Sequence, residues 1–170
     1  MASLEEIRAE RLKKLNDLTQ SGVSAYPATS QKTHFISDLL NDFDALASRE
    51  EEVVVAGRVM ASRGQGALIF ADLFDGTARL QLVLKLPETP ESVRDFYERF
   101  VDIGDFIEVR GILFATKTGQ KSILGRGVSM LSKALLPLPD KYHGLQDEEL
   151  RLRLRYLDIL TSPELREMFE

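Results

Sequence analysis

His34 and His143 are the only histidines in the chain, which has no cysteine at all. They stand more than a hundred residues apart, with no HxH or HxxxH spacing. No metal site is therefore expected at either, and each reads as a surface or capping histidine. Without cysteine there is no zinc thiolate, disulfide or thiol nucleophile, and a reducing cytoplasm is the natural setting. There is no Walker loop and no strand-linked GxGxxG; Arg63-Gly64-Gln65-Gly66 reads as a turn, not a phosphate cradle. The acidic pair Glu148-Glu149 adjoins basic residues on a predicted helix and reads as a solvated face. Nothing in this inventory makes a self-sufficient catalyst.

Binding chemistry is better supplied. In the stretch 67–73, period two puts Leu68, Phe70 and Asp72 on one face and Ala67, Ile69, Ala71 and Leu73 on the other, and the Ile69 face is the better core. Phe70 is then expected to point outward. An outward phenylalanine either stacks an unpaired base, for about 1–3 kcal/mol, or packs beneath a loop or on the N-terminal helix. Arg63, expected in the turn just before, can donate to a base edge or phosphate as readily as to water. Gln81 shares a strand face with Arg79, and its amide carries the donor and the acceptor that reading a uracil edge requires.

These residues need a scaffold, and the hydrophobic pattern outlines one. Ser3 followed by Glu6 is a capping-box signature opening a helix with Leu4, Ile7, Leu12, Leu15 and Leu18 on one broad face, stopped at Gly22. Ser37 is expected to cap a second short helix that turns Ile36, Leu39, Leu40, Phe43 and Leu46 to a core. From Val53 the period changes to two. Strands are predicted at 53–60, 67–73 and 79–85, with Gly64 and Gly66 in the first turn and Asp75-Gly76 as a hairpin signal. A helix follows from Pro90, with Val93, Phe96, Tyr97 and Phe100 at i, i+3, i+4 and i+7. Strands at 106–114 and 121–131 turn at Thr118-Gly119, and Gly57 and Gly111 suit strand bends or bulges. The order β-β-β-α-β-β is that of the OB-fold, a five-stranded barrel with oligonucleotide-binding loops and strands. The expected architecture is an all-β core with flanking helices, α+β overall. It divides into an N-terminal helical extension at 1–52, the barrel at 53–133, and a linker with a charged helix at 134–170.

At 170 residues with 44% apolar composition, one main domain is expected. No stretch is apolar enough to span a membrane, and the N-terminus lacks the apolar run of a signal peptide. A net charge of −5 opposes indiscriminate coating of nucleic acid, yet residues 53–133 carry 11 basic against 9 acidic groups, the least acidic part of the chain. That balance suits a small, specific contact.

The segments Ala56-Gly57-Arg58-Val59-Met60, Phe70-Ala71-Asp72-Leu73, Asp75-Gly76 and Arg79-Leu80-Gln81 resemble the anticodon-binding barrel shared by lysyl-, aspartyl- and asparaginyl-tRNA synthetases. Thr116-Lys117-Thr118-Gly119, and the run from Leu131-Ser132-Lys133-Ala134-Leu135 through Pro137-Leu138-Pro139-Asp140-Lys141-Tyr142-His143-Gly144-Leu145 to Arg155-Tyr156-Leu157-Asp158, resemble bacterial class II lysyl-tRNA synthetases in particular. The likeness extends over nearly the whole chain, including Tyr26-Pro27. It implies that Phe70 stacks a base, that Arg63 is a charged donor and that Gln81 reads the central uridine. Gln120 stands where the family usually has Glu, so that position brings an amide without charge.

The partner so implied is the uridine-rich anticodon stem-loop of tRNA(Lys), with no membrane involved. The enzyme resembled attaches lysine to that tRNA with ATP and magnesium, as a cytoplasmic homodimer serving protein biosynthesis. The resemblance makes residues 134–170 the linker and the start of the class II catalytic domain, and the sequence stops at Glu170, ahead of the first class II signature motif. These residues are accordingly expected to hold no cofactor and to be inactive alone, supplying recognition, with Leu150, Leu154, Leu157, Ile159 and Leu160 partly uncovered. Two other readings stay open: a general single-stranded nucleic-acid-binding OB protein, which the acidity opposes, and a stand-alone regulatory module derived from a synthetase.

Overall fold

Five strands, Glu52–Gln65 (β1), Leu68–Phe74 (β2), Arg79–Lys85 (β3), Phe106–Ala115 (β4) and Lys121–Ser132 (β5), close into a barrel in the order β1-β2-β3-β5-β4. The computed structural model describes residues 3–139 and 148–169; His143 and the rest of the expected linker at 140–147 lie outside the described residues. All pairings are antiparallel except β3 with β5. The chain divides into two compact units, Met1–Leu136 and Pro137–Glu170.

Alternation does what period two predicts. Ile69, Ala71 and Leu73 on β2 and Leu80, Leu82 and Leu84 on β3 are buried, together with Val53, Val55, Ile107, Val109 and Ile123. Helix α4, Glu91–Phe100, adds Tyr97 and Phe100 to the same core. Pro90, expected as the first helical residue, is instead the N-cap, so the helix begins one residue later, at Glu91, and the ring that lacks an N–H sits at the cap itself. Gly111 lies at a register shift between β4 and β5. A Cβ there would stand 2.0 Å from the Leu124 carbonyl oxygen, so the barrel closes at this point only around glycine.

Strand β1 is longer than expected. It continues past Met60, through an irregularity between Val59 and Ala61, because residues 61–65 pair with β2 in register, Arg63 opposite Phe70 and Gly64 opposite Ile69. Cross-strand pairing overrides the weak strand propensity of Arg, Gly and Gln. The turn shrinks to Gly66 and Ala67, with Gly66 at φ 58°, and Arg63 is a strand residue rather than a turn residue.

Helix α1, Leu4–Gln20, has the capping box at Ser3 and Glu6. Its buried residues are Leu18 and Arg11, whereas Leu4 is exposed. Arg11 earns its burial by donating to the carbonyls of Ile103 (2.9 Å), Ala134 (3.1 Å) and Leu136 (2.9 Å). The expected second helix is two, Ile36–Asn41 (α2) and Phe43–Ser48 (α3), broken at Asp42. Ser37 does not cap it. The caps come from the β2–β3 turn: Ile36 N–H donates to Asp75 Oδ2 (2.8 Å) and Ser37 N–H to Thr77 Oγ1 (3.2 Å). Burial works to raise the Asp75 carboxyl, but hydrogen bonds from Ile36, Thr77 and Ala78 outweigh it and hold the group below the ordinary carboxylate range.

In the second unit the single charged helix expected around residues 146–160 is two short ones, Glu148–Arg153 (α5) and Arg155–Thr161 (α6), and a third, Pro163–Phe169 (α7), follows them. Buried Asp158 accepts from Arg151 (3.3 Å) and Arg155 (2.9 Å). Leu150 is exposed, while Leu154, Leu157, Ile159 and Leu160 are half-buried.

Candidate nucleic-acid interface

Residues directly opposite one another in a sheet share a face. Pairing of Arg63 with Phe70, Phe70 with Val83, Asp72 with Gln81, and Gln81 with Ser122 therefore runs one outer face across β1, β2, β3 and β5. The hairpin between β4 and β5 borders it. Its backbone is tied by Thr116 N–H to the Gln120 carbonyl (3.0 Å) and Gly119 N–H to the Thr116 carbonyl (2.8 Å), with Gly119 at φ 82°. The Thr116 hydroxyl accepts from the Gln120 N–H at 3.0 Å, which stiffens the tip further.

Strand face and hairpin enclose an open cleft of about 340 Å³. Arg63, Phe70, Gln81 and Gln120, the four residues singled out in the sequence, all line it. Thr116, Lys117 and Thr118 complete the wall. Phe70 is half-buried and its partner Val83 is 3% exposed, so the ring lies as a covered floor rather than standing free in water. The Arg63 guanidinium carbon lies 5.1 Å from the Phe70 ring centroid, within reach of a cation–π contact.

Gln81 is half-buried and its amide is held. Ser122, fully buried, donates from Oγ to Gln81 Oε1 at 3.0 Å and also lies 3.1 Å from the Gln120 carbonyl. The Gln81 carbonyl oxygen keeps a second lone pair, and its Nε2 has no partner among the described residues. The exposed Gln120 side chain makes only a long contact, Nε2 to the Lys121 carbonyl at 3.4 Å.

The described lining carries two cations, Arg63 and Lys117, and neither carboxylate nor histidine. A π-surface, a held amide and unpaired cations can stack an unpaired base, satisfy its edge and neutralise its phosphates. Sequence reasoning missed Ser122 and assigned no role to Lys117. The signal for Ser122 was a hydroxyl at a strand position adjoining Ile123, where burial demands a partner. His34 is half-buried and its Nδ1 lies 2.7 Å from Thr33 Oγ1. Among the described residues, no group of three or more His, Cys, Asp and Glu is arranged to hold a metal ion, and no helix is long and apolar enough to cross a membrane.

Barrel, face and cleft are those of an OB domain, and residues 53–131 match the OB-fold nucleic acid binding domain of the tRNA anticodon type. Over nearly its whole length the chain corresponds to the N-terminal region of lysine–tRNA ligases. It is 41% identical over 170 residues to the lysine–tRNA ligase of Pelotomaculum thermopropionicum, covering 98% of this chain and 32% of that protein. Identity to the enzyme of Moorella thermoacetica is 39% over 164 residues, 96% of this chain and 33% of the relative. For Burkholderia ambifaria the figures are 40% over 173 residues, 99% and 34%. The chain thus spans about a third of the length of the curated relatives it matches.

Proposed function

We propose that this chain reads the anticodon of tRNA(Lys) as the recognition part of a lysine–tRNA ligase. The observation that carries the reading is the convergence of Arg63, Phe70, Gln81 and Gln120 on one cleft. Phe70 offers a flipped-out central uridine a face to stack on, for about 1–3 kcal/mol. With its carbonyl turned to Ser122, Gln81 presents its NH₂ to the cleft. That group matches the O4 acceptor of uridine and opposes the N4 amino group of cytidine, while the remaining Gln81 lone pair accepts from uridine N3–H. Arg63 and Lys117 contact the flanking phosphates. Gln120 adds a neutral amide that both donates and accepts.

In this reading the complete enzyme is cytoplasmic, acts as a homodimer and joins lysine to the tRNA with ATP and magnesium. Competition binding tests the reading. A lysine-type anticodon stem-loop is expected to bind better than the same stem-loop with its central uridine changed to cytidine. Equal affinity, or preference for unstructured single-stranded DNA, would overturn it in favour of a general single-strand binder.

A further inference from the structure

We propose that helix α4 is a clamp on the β1–β2 ribbon, in which Tyr97 and Arg94 act as positioning residues that set the reach of Arg63 into the cleft. The inference rests on the base-reading role given to that cleft. Arg63 is exposed and makes no hydrogen bond or ion pair among the described residues; its one recorded contact is the Phe70 ring. A long side chain without a polar partner is aimed by its backbone, so whatever fixes residues 62–66 fixes the guanidinium. β1 has already lost strict register at Val59–Ala61, and the ribbon ends in a turn of two residues. Such a terminal ribbon frays unless something holds it.

Two bonds from α4 hold it. On a strand Ser62 faces away from Arg63, and the Tyr97 hydroxyl donates to Ser62 Oγ at 3.0 Å. Tyr97 is 4% exposed and part of the barrel core, so this anchor is rigid. Burial pushes its phenol up to about 12, with Asp105 and Asp102 adding to the rise against the Ser62 hydrogen bond. The hydroxyl therefore keeps its proton and remains a donor at any physiological pH. The second bond runs from Arg94 Nη2 to the Gly66 carbonyl at 3.0 Å. Glu98 holds the Arg94 guanidinium through Nε (3.1 Å) and Nη2 (3.0 Å). One anchor precedes Arg63 by a single residue and the other follows it by three, so α4 brackets the residue from the side opposite the cleft.

A binding cycle on the full chain tests this, with a lysine-type anticodon stem-loop as ligand. Arg94→Gln combined with Tyr97→Phe is expected to weaken binding on the order of tenfold, the scale of one misdirected charge-assisted contact. In an Arg63→Ala background the same pair of changes is expected to do nothing further, a coupling that a merely structural role would not produce. Hydrogen exchange should quicken at the amides of residues 63–67 and stay unchanged in β3. Arg94→Gln alone, at a half-buried position outside the core, gives a smaller loss with the same coupling should the double variant be poorly folded. Equal losses in both backgrounds, or no loss in either, would overturn the clamp. Phe70→Ala separates the two levels: if it weakens binding and the α4 changes do not, only the clamp fails, and if it too is without effect, the reading of the cleft fails.

Discussion

The Lys133 cluster and the Arg63–Phe70–Gln81 cleft belong to the same compact unit, and both are built around cations, but they treat those cations in opposite ways. Lys133, 3% exposed, donates to the Phe100 carbonyl (2.8 Å), to Asp105 Oδ2 (2.7 Å) and to Asp102 Oδ2. Asp105 accepts in addition from the N–H groups of Asp102 and Ala134, both at 2.7 Å, and Lys14 on α1 reaches Asp102 Oδ1 at 2.6 Å. With Arg11 on three carbonyls nearby, the end of β5 and the chain leaving it are tied to α1 and to the loop before β4. In the cleft, Arg63 and Lys117 lack polar protein partners among the described residues and the Gln81 NH₂ is unused. A buried network must be closed because an unpaired polar group in low dielectric is costly; a surface that is to receive a ligand must leave donors open. The first arrangement spends its charges on the fold, the second keeps them for a partner.

The sharpest way to break this contrast is to delete one charge from the closed network. Lys133→Ala leaves the buried Asp105 beside no cation and the half-buried Asp102 with Lys14 alone, and is expected to destabilise the protein by about 3–5 kcal/mol, measured as the shift in urea midpoint. A change under about 1 kcal/mol would mean that water replaces the ammonium freely and that the cluster is not closed. Acid should act in the same direction. Burial tends to raise the Asp102 carboxyl, but Lys133 and Lys14 outweigh it and hold it below the ordinary range. A carboxyl depressed in the folded state contributes stability that is complete above its unfolded pKa of about 3.9 and disappears as pH falls through the lower folded value. Asp75 follows the same rule. Stability is therefore expected to hold from neutrality down to about pH 4 and to fall below it, and a protein already losing stability between pH 7 and 5 would contradict this assignment.

At the cleft the signs reverse. Phe70→Ala is expected to weaken stem-loop binding by about 1–3 kcal/mol while moving the thermal midpoint little, since the ring is half-buried and tops the sheet rather than filling the barrel. Calorimetry beside a binding titration checks both halves. A large fall in midpoint with little loss of affinity would make Phe70 a packing residue over Val83 and return the cleft to the fold.

Much of this was legible in the chain. Period-two runs, Asp75-Gly76 and Thr118-Gly119 marked the barrel, and the same alternation separated Ile69 from Phe70 and put Gln81 on the outer face. Local patterns carry such information because strand faces follow directly from sequence parity. Arg63 was placed in a turn and lies in a strand, since nothing local tells that residues 61–65 will be held in a strand by β2. Arg11, Lys133 and Asp105 went unnoticed as structural residues. Their partners lie up to 125 residues away in the chain, and a charged residue on an amphipathic pattern reads as surface. The Ser37 cap failed for the same reason, its role being taken by Asp75 and Thr77 from a distant turn.

The smallest expected effect is also the most discriminating, because it falls where the two kinds of region meet. Ser122 is fully buried, as in a closed network, yet the group it holds is the open amide of Gln81. Ser122→Ala removes the donor that turns the Gln81 carbonyl inward and lets the amide rotate, so that it can offer either oxygen or NH₂ to a base. Stacking on Phe70 is untouched. Affinity for the uridine stem-loop should fall by only about 0.5–1.5 kcal/mol, the net value of a neutral hydrogen bond, while affinity for the cytidine stem-loop stays level or rises. The ratio of the two affinities, rather than either alone, is the quantity to measure. If Ser122→Ala lowers both equally and leaves the ratio intact, the hydroxyl supports the strand and not the amide, and discrimination must come from Gln120 or the hairpin.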